Sequence, residues 1–369
     1  MFLERIQLIQ FKNHQNTEIQ FLSGLNAFVG KNGSGKTNIL DAIYYMSMCK
    51  SYLNPIDKQN VMFESSFFHI QGIWNTENKI QTVACSYKLG AKKKIKLNKK
   101  EYEKLAEHIG KFPVVFISPY DGDLINEGSE LRRKWIDGII SQVDPIYLNT
   151  IQSYQKVLTQ RNALLKNMSE HRLFDLESIE VWDTQLIKLG SFIHEKRKEF
   201  LHSFIPVFNK FYQQIGDDHE QAAIEYKSQL TDADFSKILI AYHKKDSYSQ
   251  YTNAGTHKDD LLFTIKGHPV KKFGSQGQQK SFVIALRLAQ FDWLKAQKNT
   301  NPILLLDDIF DKLDGERVQK LVGLVTQDYF GQVLLSDTDQ KRMESLLDSL
   351  PVPSKLFEVI QGDVKEISR

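Results

Sequence analysis

The segment that most restricts what this chain can fold into is Gly30-Lys-Asn-Gly-Ser-Gly-Lys-Thr37. It fits GxxxxGK[ST] at every fixed position, between an apolar strand-like run, Leu25 to Val29, and a helical run, Asn38 to Met48. Glycines let the backbone turn and point successive N–H groups at phosphate oxygens, and the helix that follows adds its positive dipole end. Gly30, Lys31, Asn32, Gly33, Ser34 and Gly35 are therefore expected to form a phosphate cradle. Lys36 is expected to reach the β- and γ-phosphates and the Thr37 hydroxyl to coordinate Mg²⁺, so ATP with Mg²⁺ is the expected ligand pair. A glycine turn that merely caps a helix is the bland alternative, and the strand and helix on either side count against it.

Such a loop needs a carboxylate at the end of a neighbouring strand to hold the Mg²⁺ shell, and Ile303-Leu-Leu-Leu-Asp-Asp308 supplies one. Asp307 is expected on the metal side. Asp308 would face the attacking water as orienter or general base and, with Lys36, forms the expected catalytic pair. Its side chain is one methylene shorter than glutamate, so a slow Mg²⁺-dependent ATPase is expected. Standing alone, the same pair would read as a helix cap after a buried strand.

With 369 residues the chain outgrows a single core and is expected to form two domains. A hydrophobic content of 41% and a charged content of 25% are those of an ordinary globular protein, which argues against a disordered or fibrous chain. Cys49 and Cys85 stand far apart with no CxxC and no histidine spacing, so both read as reduced thiols of a cytosolic protein rather than zinc ligands. The N-terminus alternates and carries charge where a signal peptide would be apolar, and no run suits a membrane span. A net charge of +3 decides nothing about nucleic acid, so any such partner must be argued from local clusters.

Alternation from Leu3 to Phe11 and at Ile19 and Phe21 predicts two strands joined by the polar turn Lys12 to Asn16. Further strand-like runs are Phe67 to Trp74, Gln81 to Leu89, Lys93 to Leu97 and Val114 to Ile117. From Leu131 the period becomes helical, and Pro206 is expected to kink or end the helix carrying Trp182 to Phe204. Strand patterning resumes at Leu261 to Ile265, followed by a helix from Lys280 to Lys295 and the strand Ile303 to Leu306. The expected fold is α/β: a P-loop ATPase lobe over 1–125 and 252–369, with an inserted, mainly α-helical lobe over 126–251.

Ser275-Gln-Gly-Gln-Gln279, directly before a helix, resembles the signature segment of ABC-type ATPases. The order of P-loop, signature, Asp307-Asp308 strand and Asp311-Lys-Leu-Asp314 is the order of that class. Within its SMC-like branch the chain resembles the RecF family. The resemblance rests on Ile6 to His14, on Gly30 to Thr37, on Ser118-Pro-Tyr-Asp121 with Glu130-Leu-Arg-Arg-Lys-Trp-Ile-Asp137, on Ala254-Gly-Thr-His-Lys-Asp-Asp-Leu261, on Ser275 to Lys280 and on Leu304 to Asp314. It departs where Thr256 and Lys258 replace the usual proline and arginine, at Tyr120, at Asp311, and where Ser336-Asp-Thr-Asp339 stands in place of a switch histidine.

The resemblance implies a head-to-head homodimer that closes on DNA when ATP binds. Lys36 of one subunit and Ser275, Gln276, Gly277 and Gln278 of the other would grip each nucleotide. It further implies gapped, single-stranded or junction DNA as partner, with RecO and RecR as companions in placing RecA on single strands. Lys92, Lys93, Lys94, Lys96, Lys99 and Lys100, on a hairpin turned at Asn98, could neutralise DNA phosphates, and equally suit a solvated hairpin. Arg132 and Arg133 match the family's basic helix start. Two rivals share the phosphate site: a nucleotide-binding subunit of an ABC transporter, and a short SMC-type structural ATPase. The segments outside the site disfavour the first, and an insert too short for sustained heptads disfavours the second.

Overall fold

A computed structural model describes residues 1–76, 79–171, 175–216, 220–231, 233–309, 320, 323–324, 328–350 and 352–368. The chain divides into two compact units, Met1–Asp121 with Gln214–Gly216 and Lys280–Arg369, and Gly122–Gln213 with Asp217–Gln279. The second unit thus ends at Gln279 rather than 251. Pairing is the reason: the strand Asp260–Ile265 is hydrogen-bonded to Ala222–Lys227, which lies in the same unit.

In the first unit β1 (Phe2–Phe11), β2 (His14–Gln20), β4 (Phe67–Thr76), β5 (Lys79–Lys88), β6 (Lys94–Leu97) and β7 (Lys100–Glu101) form an antiparallel sheet in the order β2-β1-β4-β5-β6-β7. Strict alternation along β1 would put Leu3 and Ile6 on opposite faces, yet both are buried. A register shift between Leu3 and Arg5 inserts the extra residue that brings them to one side.

The second sheet of this unit runs β15-β14-β3-β13-β12-β8, from β3 (Leu25–Val29), β8 (Val114–Ile117), β12 (Ile303–Asp307), β13 (Val333–Asp337), β14 (Ser354–Ile360) and β15 (Asp363–Ile367). All its pairings are parallel except that of the edge strand β15. Parallel strands covered on both faces read as largely apolar runs, and every residue of β3, β8, β12 and β13 is buried, the polar Asn26, Asp307, Ser336 and Asp337 included. The helix α1 (Lys36–Met48) contributes Ile39, Leu40, Ile43 and Met46 to a core shared with Phe68 and Trp74 of the first sheet and Phe28, Phe116 and Leu305 of the second. The expected loop Lys12 to Asn16 is tighter than predicted, since β1 and β2 pair as far as Phe11 and His14.

The second unit contains the helices Ser129–Val143, Pro145–His171 and Phe235–Ser249 and most of Leu176–Ile215. It is not all-helical: β9 (Ala222–Lys227), β10 (Asp260–Ile265) and β11 (His268–Pro269) form a sheet in the order β11-β10-β9. The helix Leu176–Ile215 also continues past Pro206 rather than ending there. Phe200, Phe204, Phe208 and Phe211 recur at helical spacing and are all buried, and this apolar stripe offsets the hydrogen bond that proline removes. Buried arginines tie the unit together. Arg161 meets Asp183 at 2.6 Å and Asp246 at 2.7 Å, and Arg197 meets Asp137 at 2.9 Å and Asp259 at 2.7 Å. Among the described residues no helix is long and apolar enough to cross a membrane. Cys49 and Cys85 are both buried and unbonded to each other.

Candidate nucleotide site

The phosphate loop leaves the C-terminal end of β3 at Gly30. A Cβ at Gly30 would lie 2.4 Å from the carbonyl oxygen of Val359 on β14, so only glycine lets the loop start this close to its neighbour. Gly35, at φ 119, closes the loop as the N-cap of α1 and offers no side-chain cap. The amides of Lys36 and Thr37 in the first turn of α1 are thereby left for a ligand, while that of Asn38 turns back to the Gly35 carbonyl at 3.0 Å, at the helix end that favours negative charge. Lys36 is only 4% exposed and arches back, its Nζ 2.8 Å from the Gly30 carbonyl and 3.2 Å from that of Lys31. Ser34 Oγ is buried and has no hydrogen-bond partner among the described residues. A lysine bonded to carbonyls of its own loop, an orphaned hydroxyl and an uncapped helix end fit a triphosphate.

Thr37 Oγ1 donates to Asp307 Oδ1 at 2.8 Å, and Ser336 Oγ donates to the same oxygen at 2.6 Å. Asp307 and Ser336 are partners in the β12–β13 register, which explains their approach. Burial pushes the Asp307 carboxyl above its usual range and the neighbouring Asp308 adds to the effect, against the two hydroxyl hydrogen bonds. A buried carboxylate of this kind gains most from a cation, and a hydroxyl beside one carboxylate suits Mg²⁺, which takes its remaining oxygens from phosphates and water. The next residue turns sharply: Asp308 is left-handed at φ 43, and its amide donates to Ser336 Oγ at 3.2 Å.

The signature turn lies in the second unit and is built as a helix cap. Ser275 N donates to Gln278 Oε1 at 2.8 Å and Gln278 N to Ser275 Oγ at 3.2 Å, a reciprocal pair that opens the helix Gln276–Lys298. Gln278 is also held by Glu220 Oε1 at 2.7 Å. Ser275 and Gln276 are exposed and Gly277 half-buried. The segment Asp311 to Asp314 lies outside the described residues.

The expected DNA contacts divide. Lys92, Lys94, Lys96, Lys99 and Lys100 are exposed, and the β6–β7 hairpin turns at Asn98 and Lys99, both with positive φ. Lys93 instead points inward, its Nζ 2.6 Å from the Cys49 carbonyl and 3.1 Å from Asp57. Arg132 is likewise unsuited to DNA: it is 9% exposed, bound to Asp260 at 2.7 Å and to the carbonyls of Leu124 and Glu127. Arg133 is committed to Ser129 Oγ at 2.7 Å and the Asp259 carbonyl at 2.6 Å. Arg132, Asp137, Asp259 and Asp260, in two of the segments that carried the family resemblance, are therefore held in ion pairs. Asp121 follows the same rule in the first unit, where it takes two hydrogen bonds from Arg287.

Sequence reasoning passed over Ser336 as a site residue, noting only that no histidine stood there. It also passed over the pair that backs the loop: Asn13 Nδ2 donates to the Ser34 carbonyl at 2.9 Å, and His14 Nε2 lies 3.1 Å from the Gly35 carbonyl. The only signal for these was their place in the polar turn of the leading hairpin.

With this geometry in view, comparison with known proteins is specific. The profile of the RecF/RecN/SMC N terminal domain matches residues 2–355. The DNA replication and repair protein RecF of Flavobacterium johnsoniae is 47% identical over 359 residues, covering 97% of this chain and 100% of that protein. Its counterpart in Phocaeicola vulgatus is 45% identical, covering 99% and 98%. A solved structure of the recombination mediator protein RecF with ATP superposes with a TM-score of 0.90 at 26% identity, covering 100% of this chain and 98% of that one. The Smc head domain of Pyrococcus furiosus, at 17% identity and a TM-score of 0.58, shares the fold.

Proposed function

The chain belongs to the RecF family of DNA replication and repair proteins, and from that premise we propose that it is an ATP-driven DNA clamp. The observation that carries the reading is the junction of Lys36, Thr37, Asp307 and Ser336 at the strand ends beside an uncapped helix start. ATP would lie along the loop with its phosphates on the backbone amides. Lys36 would exchange its carbonyl partners for the β- and γ-phosphates, and Thr37 with Asp307 would hold Mg²⁺. The metal's chemistry there is to neutralise charge on the phosphate oxygens. Asp308 would orient the attacking water, with turnover slow.

The clamp closes, on this reading, when the exposed Ser275 and Gln276 of a second copy complete the γ-phosphate shell. A ligand touching both subunits favours the closed dimer by its differential contacts, and hydrolysis removes them. Gapped or junction DNA in the cytosol, with RecO and RecR as companions in loading RecA, is the setting that the family premise supports. The related RecF structure described with ATP in the RecFOR pathway supports the same assignment.

Sedimentation velocity with ATP, ADP or no nucleotide, with and without gapped DNA, tests the proposal. A dimer that forms with ATP and carries DNA is the expected result. Equal DNA affinity with and without ATP would refute the clamp.

A further inference from the structure

We propose that His14 is a positioning residue of the nucleotide site: it pins the peptide that closes the phosphate loop to the turn of the C-terminal hairpin β14–β15. The inference rests on the assignment of ATP to the phosphate loop.

His14 is fully buried, and both ring nitrogens meet backbone carbonyls. Nε2 lies 3.1 Å from the oxygen of Gly35, the last residue before α1, and Nδ1 lies 2.8 Å from the oxygen of Gly362, in the turn between β14 and β15. Thr17 Oγ1 donates to the same Gly362 oxygen at 2.9 Å. Around this ring three more bonds join the same pieces. Gly362 N donates to the Ser34 carbonyl at 2.8 Å, Asn13 Nδ2 to that same carbonyl at 2.9 Å, and Asn38 Nδ2 to Asn13 Oδ1 at 2.7 Å. The carbonyls of Ser34 and Gly35 are thus drawn backward. A peptide is planar, so a carbonyl held on one side aims its N–H to the other, and these are the peptides whose amides enter the cradle.

The approach is so close that glycine is required on both sides. A Cβ at Gly362 would lie 2.2 Å from the Asn13 carbonyl oxygen, and one at Gly35 would lie 2.7 Å from Asn13 Nδ2 and 3.0 Å from His14 Nε2. Gly362 is moreover left-handed, at φ 91.

A neutral imidazole carries one N–H, so neither tautomer serves both carbonyls, whereas the imidazolium serves both. Burial holds the ring's pKa below its ordinary value, Lys12 lowers it further, and Asp363 and the two carbonyls raise it. Lys12 is itself paired with Asp41 at 2.6 Å. Phosphate charge arriving on the far side of the Gly35 peptide favours the protonated ring, so the pin tightens as nucleotide binds.

The test compares wild type, His14→Phe, His14→Gln, Gly362→Ala and the His14→Phe/Gly362→Ala double variant in steady-state ATP hydrolysis, with thermal melting of each and ¹⁵N spectra of the wild-type ring with and without ATP. His14→Phe is expected to raise KM for ATP about tenfold with kcat within about twofold, and His14→Gln, which keeps one donor, to recover part of the loss. The double variant is expected to be no worse than the worse single, because both sever one link. The ring ¹⁵N signals are expected to move on adding ATP. Wild-type KM in His14→Phe, or a ring blind to nucleotide, would overturn the inference. Equal losses in KM and melting temperature without recovery by glutamine would reduce His14 to core packing and overturn it as well. Failure of wild type itself to bind ATP would instead strike the assignment on which the inference rests.

Discussion

Thr37 and Asp307 stand 270 positions apart in the chain and share a 2.8 Å hydrogen bond. β3 leads into the loop before Thr37, β12 ends at Asp307, and β13 lies between these two strands in the sheet. The intervening strand supplies Ser336, whose hydroxyl reaches both Asp307 and the amide of Asp308. Three strand ends therefore converge on one carboxylate, at the carboxyl edge of a parallel sheet, where such folds place their ligands.

Replacing the lysine of the loop tests the cradle. Lys36→Ala removes a charged donor whose hydrogen-bond partners among the described residues are carbonyls of its own loop. ATP affinity by calorimetry is expected to fall by about 10- to 100-fold, the worth of a charge-assisted hydrogen bond, and ATP-dependent DNA binding to vanish. The melting temperature without nucleotide should hardly change. A large loss of stability would instead make the lysine a structural strut.

Asp308→Asn separates binding from hydrolysis. The side chain keeps its size and loses its charge, so kcat is expected to drop by about 100-fold or more while ATP affinity stays within about threefold. Dimer lifetime in the presence of ATP, followed by sedimentation, should lengthen accordingly. Unchanged turnover would remove Asp308 from the chemistry.

How much of this was legible beforehand depends on how local the cause was. β3 was read over its observed span, Leu25–Val29, because Leu25 and Ala27–Val29 are apolar, with Asn26 the polar residue among them, and run directly into Gly30. The P-loop followed from spacing alone. β9 was missed because Ala222-Ala-Ile-Glu-Tyr-Lys227 carries too few large apolar residues to separate it from a loop, and its reason to be a strand is β10, far along the chain. Pro206 does not end its helix, because its cost is local while its compensation, a buried phenylalanine stripe, is tertiary. Arg132 misled for the opposite reason: a basic triplet reads as surface until Asp260 is seen beside it. His14 and Gly362 meet only once the sheet has brought the C-terminal hairpin to the leading turn.

Acid is expected to destabilise the ATPase unit through His108. The ring is fully buried, donates through Nε2 to the Met46 carbonyl of α1 at 2.6 Å and leaves Nδ1 without a partner among the described residues. Burial lowers its pKa from 6.5 to about 4, with Lys111 contributing. In the unfolded chain the ring would titrate near 6.5, so between that pH and about 4 the unfolded state binds a proton that the folded state refuses. The stabilisation is therefore complete above that window and is lost progressively as pH falls through it, by roughly 3 kcal/mol at the bottom. Urea melts of wild type and His108→Gln from pH 8 down to pH 4 check this: the difference between the two should shrink as the medium becomes acidic.

The lysine hairpin offers the sharpest contrast between surface and interior charge. Lys96, Lys99 and Lys100 are exposed around a turn fixed by Asn98, whose Oδ1 accepts the Thr82 amide at 2.9 Å. Lys93, four residues before the turn closes on Leu97, is held by Cys49 and Asp57. If the exposed lysines meet DNA phosphates, each releases condensed counterions on binding. The triple change Lys96→Ala, Lys99→Ala and Lys100→Ala should then lower the slope of log affinity against log salt by about 2 to 3, with no change in sequence preference. Lys93→Ala should instead leave the slope unchanged and lower the melting temperature, because it strips a half-buried Asp57 of its cation. Fluorescence anisotropy on gapped DNA between low and moderate salt distinguishes the two. A slope untouched by the triple change means that the hairpin is a solvated edge and that DNA is held elsewhere on the protein.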